Sequence, residues 1–290
     1  MQQPRSDMPR VILWMMGGLL SFSTMAVAIR ALAGTFSVFE IQSFRAAVAL
    51  IILISLALLR PSLRKELPPR HLALHLTRNT IHFASGLGWV TALTVLPLAT
   101  VFAIEFTTPA WVAILALLFL GERMSVSRAG AVVLGFVGVL VILRPGLATV
   151  HPAALLVLAA ALGYAITFVI TKKLTRTIST YTILVWMNAI QLPLALAGAD
   201  PAFLTKLTTT TVLPAIAMGV TGILSHFCVT QAFRHGDATV VMPIDFLRVP
   251  LIALVGWLFY REGIDVFVLA GAAIIAAGIL WNLRSETRRA

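Results

Sequence analysis

A carboxylate, Glu105, lies in the middle of the apolar segment VFAIEFTTPAW, residues 101–111. A charged side chain at the centre of a bilayer costs roughly 3 to 10 kcal/mol or more. Arg45 lies at a matching depth in its own apolar segment, and a buried ion pair costs far less than either charge alone. The sequence therefore predicts that Arg45 is the partner of Glu105. Two roles stay open for this pair: a structural bridge between helices, and a part in substrate or proton coupling.

Four polar side chains of another apolar segment share one helical face. They occupy positions i, i+3, i+4 and i+7, and they are His75, Arg78, Asn79 and His82. Because lipid offers no hydrogen bonds, such a face points into the helix bundle or into a watery cavity. We expect His82, near mid-depth, to line a cavity. His75 and Arg78 lie nearer one end, where they can also reach the headgroups.

The segment PIDFLRVP, residues 243–250, places Asp245 and Arg248 one helical turn apart. They can pair with each other, or they can serve a site, because the flanking prolines free backbone carbonyls that a cavity can use. The planar fork of an arginine holds a carboxylate or a phosphate through two hydrogen bonds. This chemistry suits an anionic or zwitterionic solute.

The predicted substrate-binding set adds two polar residues of other apolar segments to these. It consists of Arg45, Arg78, His82, Glu105, Tyr164, His226, Asp245 and Arg248. Lesser candidates are Asn188 and Gln191, with Trp111 and Trp186 as rings that can stack on a solute. Packing is the commoner role for tryptophans in membrane helices.

The sequence contains no spacing typical of an enzyme. It has no H-E-x-x-H, no G-x-S-x-G and no clustered aspartates for a diphosphate and Mg²⁺. The separation of His82 and His226 supports no particular metal site. We therefore predict a protein that is not an enzyme and that has neither a cofactor nor a metal. An intramembrane enzyme is the rival class of protein, followed by a channel or a sensor.

Composition decides the environment of the chain. Of its 290 residues, 59% are hydrophobic and 11% charged, and the mean hydropathy is +0.97. A soluble domain has about a quarter of its residues charged, so this chain is an integral membrane protein. The net charge of +11 comes from short basic runs without a nucleic-acid-binding motif, which argues against a nucleic-acid partner. The single cysteine, Cys228, excludes a disulfide within the chain.

Apolar stretches of membrane-spanning length divide the chain into ten predicted helices. They lie near residues 11–32, 37–59, 72–95, 98–120, 127–143, 152–171, 181–198, 212–233, 238–259 and 264–283. With the N-terminus in the cytoplasm, inner segments hold 15 Lys and Arg residues and outer segments hold 4. The positive-inside rule therefore predicts that both termini are cytoplasmic, which agrees with an even number of spans.

An internal repeat becomes visible when the chain is aligned with itself so that Glu105 meets Asp245, an alignment that we call the repeat register. AIEF (103–106) then matches PIDF (243–246), and Glu122 of LGER matches Glu262 of YREG. We interpret these two glutamates, which lie near helix ends, as interfacial structure. Because five is an odd number of spans, the second copy of a five-span unit has the opposite orientation in the membrane. Inverted repeats of this kind are typical of transporters, with the substrate site near mid-membrane.

The segment ALTVLPLATVFAIEFTTPAWVAILALLFLGERMSVSRAGAVVLGFVGVLVILRPG, residues 92–146, resembles the signature half of EamA-type transporters of the drug/metabolite transporter superfamily. SFRAAVAL, residues 43–50, places Arg45 at the arginine typical of the second helix. The resemblance covers essentially the whole chain, and its P-L-A, proline and LGER landmarks are fairly specific. It departs at RHGDATVVMPIDFLRVP, which is more apolar in many members.

The resemblance implies an all-α membrane protein with ten transmembrane helices as two inverted five-helix repeats, residues 1–146 and 147–290. It also implies secondary transport of a small organic solute across the cell inner membrane. Riboflavin, S-adenosylmethionine or another amino-acid-derived or vitamin-like metabolite is favoured, because the predicted set offers both charge signs and aromatic rings. The alternative is an amino-acid or drug exporter of the same superfamily. The expected partners are this small-molecule substrate and the lipid bilayer, with protons as a candidate coupling ion and a homodimer left open.

Overall fold

The computed structural model describes residues 7–68, 70–93, 98–143, 152–261 and 266–289, and all regular secondary structure within these ranges is helical. The predicted repeat boundary at 146/147 and Glu262 lie outside the described residues. The α-helices are α1 (Met8–Leu32), α2 (Val38–Leu59), α3 (Pro61–Arg64), α4 (Leu72–Leu93), α5 (Leu98–Glu105), α6 (Thr108–Leu120), α7 (Val126–Leu143), α8 (Ala153–Leu174), α9 (Thr180–Leu196), α10 (Val212–His235), α11 (Ala238–Val241), α12 (Arg248–Tyr260) and α13 (Val266–Arg289). Two 3₁₀ helices span Phe203–Lys206 and Met242–Leu247.

Seven stretches of the described chain are helical, long and apolar enough to cross a membrane. They are Met8–Leu32, Val38–Leu59, Val126–Leu143, Ala153–Leu174, Val212–His235, Ala238–Leu258 and Val266–Arg288. Two helices, Thr108–Leu120 and Thr180–Leu196, are apolar but shorter. The chain is therefore an all-helical multi-pass membrane protein, which confirms the class predicted from composition.

The two segments predicted as single helices at 98–120 and 238–259 are broken near their middles. Pro109 lies in the first turn of the helix after one break, and Pro243 lies in the 3₁₀ helix that forms the other. Proline has no N–H to donate to the preceding turn, so it is tolerated at these places and not within a continuous helix. Each break adjoins an acidic residue of the predicted site.

The long helices pack in pairs: α1 along α10, α4 along α8, α2 along α9, and α7 along α13. Glycines let α7 and α13 approach closely. A methyl group on Gly138 would lie 2.7 Å from the carbonyl oxygen of Gly271, and one on Gly271 would lie 2.6 Å from the carbonyl oxygen of Gly138. Small residues at such contacts allow backbones to meet inside a membrane.

Glu122 caps a helix that lies more than one hundred residues further along the chain. Its carboxylate accepts hydrogen bonds from the backbone N–H groups of Ala238 and Thr239, at 2.8 and 2.9 Å, and from the Thr239 hydroxyl at 2.8 Å. α11 begins at Ala238, and the first N–H groups of a helix have no acceptor within it. Glu122 therefore has a structural role, which is to cap the start of α11.

Arg128 joins the same end of the bundle through buried ion pairs. It donates two hydrogen bonds of 3.0 Å to Glu286 and one of 2.9 Å to the Thr239 hydroxyl, and it lies 3.2 Å from Asp237. Charge-assisted bonds of this kind are about twice as strong as neutral ones. With Glu122, they tie α7 and α13 to the start of α11.

At the opposite end, Glu40 pairs with Lys206 at 2.7 Å. Glu40 also completes a capping box with Ser37 at the start of α2. The hydrogen bond to Glu40 raises the pKa of Lys206, which lies in the 3₁₀ helix between α9 and α10.

We expect Gly138→Ala to destabilise the protein, because its methyl group would lie 2.7 Å from the backbone carbonyl oxygen of Gly271 as well as 2.6 Å from the Ile275 side chain, and the backbone cannot easily move away. Overpacking of this kind costs about 1–3 kcal/mol, which should lower the melting temperature of the purified protein by several degrees. Gly34→Ala is the control, because no atom of the described residues lies within 4 Å of its new methyl group. Equal melting temperatures for the two variants would contradict the α7–α13 contact.

Glu122→Ala should remove the cap of α11 and strand the buried hydroxyl and N–H groups that it serves. Losing hydrogen bonds to a buried charged group costs about 2 kcal/mol or more. The matched control is Glu66→Ala, because Glu66 is exposed. Thermal unfolding in detergent should separate the two variants, and a melting temperature for Glu122→Ala within error of that for Glu66→Ala would refute the cap.

Candidate functional site

Arg45 on α2 is buried, with 5% of its surface exposed, and its guanidinium contacts neutral groups. Its Nε donates to Oε1 of Gln42 at 2.9 Å, and its Nη2 donates to Oε1 of Gln191 at 2.5 Å. Its Nη1 lies 3.5 Å from Nε2 of His226. Buried arginines are normally paired with an acid, whereas here amides and an imidazole receive the N–H groups.

His82, from the predicted stripe on α4, extends this group of residues. Its Nδ1 lies 3.1 Å from the Nε2 atom of Gln191, and its ring centroid lies 5.6 Å from Tyr164 and 5.4 Å from His226. Helices α2, α4, α8, α9 and α10 therefore each contribute a polar side chain. We call this group the Arg45 cluster; it consists of Gln42, Arg45, His82, Tyr164, Gln191 and His226.

Glu105, Asp245 and Arg248 form a second group, which we call the acidic cluster. Nη2 of Arg248 lies 2.9 Å from Oδ2 of Asp245, and its Nη1 lies 3.4 Å from Oε1 of Glu105. Trp89 donates its indole N–H to Oε2 of Glu105 at 2.8 Å. One arginine thus lies between two carboxylates that are far apart in sequence.

Aromatic rings complete the surroundings of Arg248. Its Cζ atom lies 4.6 Å from the ring centroid of Phe22 and 4.8 Å from that of Phe106. Cations at such distances are attracted by the faces of aromatic rings. Its Nε is buried and has no hydrogen-bond partner among the described residues, so the rings add to the two ion pairs in stabilising the guanidinium.

The predicted ion pair between Arg45 and Glu105 is wrong. Depth along each helix is compatible with the pair, but depth gives one coordinate and does not say which helices are neighbours. In the fold, α12 and not α2 presents its arginine to the end of α5, so Glu105 pairs with Arg248. The hydrogen bond predicted as one option between Asp245 and Arg248 is confirmed.

Arg78 and His75 are buried and do not extend toward the headgroups. Arg78 donates to the hydroxyl of Thr171 and to Oδ1 of Asn79, both at 2.6 Å. The centroid of the His75 ring lies 6.0 Å from that of Trp186, and neither nitrogen of His75 has a hydrogen-bond partner in the described part of the chain. Of the predicted set, Arg78 alone belongs to neither cluster.

Sequence reasoning missed Gln42 and Phe22 and ranked Gln191 low. Gln42 lies three residues before Arg45 on the same helix, and this spacing could have indicated the contact. Phe22 carries no comparable signal, because an aromatic ring in α1 is equally compatible with packing. Among the described residues, no group of three or more His, Cys, Asp and Glu side chains could hold a metal ion.

An all-helical membrane protein with buried polar clusters contributed by many helices has the architecture expected of a carrier. Comparison with known proteins agrees. The EamA-like transporter family matches twice, over residues 9–144 and 151–284. The chain belongs to the EamA-like transporter family, whose members move small molecules across membranes, and it is a secondary metabolite transporter.

Several curated relatives cover most of the chain. It is 33% identical over 215 residues to a riboflavin transporter of Rhizobium johnstonii, covering 74% of this chain and 71% of that protein. It is 32% identical over 232 residues to a riboflavin transporter of Brucella anthropi, covering 77% and 80%. It is 27% identical over 275 residues to an S-adenosylmethionine uptake transporter of Rickettsia felis, covering 95% and 92%.

A solved crystal structure shares the fold. It superposes with a TM-score of 0.79 and covers 96% of this chain and 98% of its own, although only 15% of the aligned residues are identical.

Gln191→Leu should destabilise the Arg45 cluster, because it leaves a buried Arg45 N–H group without its acceptor. The unmet hydrogen bond to a charged group costs about 2–3 kcal/mol, and thermal unfolding measures the loss. Gln42→Leu is the control: it removes another acceptor of Arg45, but Gln42 is only half-buried and water can replace it. A smaller effect of Gln191→Leu than of Gln42→Leu would contradict the burial of the cluster.

Proposed function

We propose that the protein carries riboflavin, or a neutral solute of similar chemistry, across the membrane by alternating access. The single observation that carries this proposal is the Arg45 cluster. Its amides, imidazoles, phenol and guanidinium offer many hydrogen-bond donors and acceptors, and among the described residues Arg45 makes its hydrogen bonds with neutral side chains.

A flavin satisfies such a cluster without bringing a charge into the membrane. Its imide edge presents alternating donors and acceptors, its side chain presents hydroxyls, and its ring system can stack on aromatic residues. The two riboflavin transporters of at least 32% identity support the same cargo.

S-adenosylmethionine is the second candidate, because its relative covers 95% of the chain. Its sulfonium and ammonium groups would need free carboxylates near the cargo. Glu105 and Asp245 are already engaged by Arg248, and Glu105 also accepts the Trp89 N–H. The acidic cluster therefore favours the neutral cargo.

The proposed architecture is ten spans in two inverted five-helix repeats, residues 1–146 and 147–290, with both termini on the cytoplasmic side of the inner membrane. Helix bounds support it, since the repeat register superposes the starts of α4, α5, α6 and α7 on those of α10, α11, α12 and α13. Gly121 and Arg261, which are equivalent in this register, both end helices with positive φ, 67° and 55°.

The helix contacts also support two exchangeable halves. In the repeat register α1 corresponds to α8, α2 to α9 and α4 to α10. The α1–α10 contact then corresponds to α8–α4, and the α2–α10 contact corresponds to α9–α4. Both corresponding contacts are present. The α2–α9 and α7–α13 contacts map onto themselves. A fold of this kind offers two similar packings around one central site.

The test is counterflow of labelled riboflavin in proteoliposomes loaded with unlabelled riboflavin, with S-adenosylmethionine as competitor. We expect saturable riboflavin exchange. Arg45→Ala should slow it about tenfold or more, because losing a hydrogen bond to a charged group costs about 1.5–3 kcal/mol.

Arg60→Ala is the matched control, because Arg60 is exposed at the other end of α2. Arg45→Lys keeps the charge but not the planar fork, and it should also be slow if Arg45 contacts the cargo. A folded wild-type protein that exchanges S-adenosylmethionine and not riboflavin would refute the proposed cargo.

A further inference from the structure

Phe106 and Phe246 mark the axis that relates the proposed repeats. They are equivalent in the repeat register, and their rings stack with centroids 6.0 Å apart and an interplanar angle of 25°. Two equivalent residues that contact each other must lie beside the pseudo-twofold axis. Glu105 and Asp245 directly precede them, so one acid from each repeat also lies near this axis.

The acidic cluster holds two carboxylates and a single cation. Arg248 contacts both acids, at 2.9 Å for Asp245 and 3.4 Å for Glu105. The position equivalent to Arg248 in the first repeat holds Thr108, which is neutral. With both acids ionised, the cluster therefore carries one negative charge in excess.

Within the part of the chain that the structure describes, nothing else in contact with the cluster supplies the missing positive charge. Its side chains are 9–17% exposed. Glu105 is faced by Arg248, by Asp245, by the Trp89 indole and, from α8, by Tyr164. Phe22 and Phe106 cover the guanidinium. Excess charge in such surroundings is expensive, and a carboxyl group avoids the cost by binding a proton.

We propose that Glu105, Asp245 and Arg248 form a one-proton site that couples proton movement to transport. In this conformation Arg248 holds Asp245 more closely, and Glu105 carries the proton. A hydronium ion from one aqueous phase supplies this proton, which forms an O–H bond on the Glu105 carboxylate and leaves the cluster neutral.

The inverted repeat then gives the two acids exchangeable roles. When the halves adopt the opposite packing, Arg248 moves toward Glu105 and pairs with it as Glu105 loses its proton to water on the other side. Asp245, released by Arg248, stays ionised in contact with that water, and the halves return to the first packing without a proton. Glu105 has then taken one proton from one side and released it on the other, so one proton crosses the membrane in each cycle. This inference rests on the proposed carrier function and adds its driving ion.

The transport test uses riboflavin proteoliposomes under an imposed pH gradient, with the membrane potential clamped by potassium and valinomycin. At a stoichiometry of one proton, about one pH unit supports an accumulation of about tenfold, since 1.4 kcal/mol is a factor of ten. We expect accumulation under one sign of gradient and expulsion under the other. In Glu105→Gln and in Asp245→Asn, riboflavin should only equilibrate, whatever the remaining rate.

Glu40→Gln is the matched control, because Glu40 is also buried but lies at the Lys206 contact outside the cluster. It should still accumulate riboflavin. Exchange of riboflavin that ignores the pH gradient in the wild type, or that follows a sodium gradient instead, would overturn the proton site and leave the proposed cargo intact.

A second measurement does not depend on the cargo. Infrared difference spectra between acidic and alkaline buffer should show the carbonyl band of a buried carboxylic acid in the wild type and in Glu40→Gln. The band should be absent in Glu105→Gln. If riboflavin is not transported but this band is present, the cargo proposal fails and the proton site stands; a band unchanged in Glu105→Gln refutes the site.

Discussion

The absence of water inside a membrane governs this structure, because each buried polar group must find its partner within the protein. Three arginines of the two clusters and their surroundings meet this demand in different ways. Arg45 donates to amides and lies against an imidazole, Arg78 donates to a hydroxyl and an amide, and Arg248 contacts two acids and two rings. These different solutions give the interior one region rich in neutral hydrogen-bonding groups and one region of concentrated charge.

The breaks in the two helices that carry the acids are part of the same solution. A break frees backbone carbonyls at a depth where lipid cannot satisfy them. Thr108 donates its hydroxyl to the carbonyl of Glu105 at 2.6 Å and lies 3.4 Å from the carbonyl of Ala161. The break is thereby tied to α8, and Glu105 is held at the end of α5, within reach of an arginine from another helix. A continuous helix would have no free carbonyl there.

The sequence was informative wherever one physical rule dominates. Apolar length predicted the positions of the helices, and helical spacing placed His82 on the face that the structure buries. Pairing between helices was not predictable, because depth along a helix does not identify its neighbours. The sequence predicted Arg45 as the partner of Glu105, whereas in the fold Arg248 occupies that place.

The two proposed repeats have similar folds, but the same interactions do not stabilise both. The network that ties Glu122 to the start of α11 contains Arg128, Asp237, Thr239 and Glu286. The equivalent sequence positions in the repeat register hold Val268, Pro97, Ala99 and Gly146, although Glu262 matches Glu122. The charged side chains and the hydroxyl of this network therefore have no counterparts at the equivalent positions of the proposed repeats. Charge-assisted bonds stabilise only the packing that forms them. The two packings of the halves therefore differ in free energy, although the halves have similar folds. A driving ion or a cargo must supply this free-energy difference.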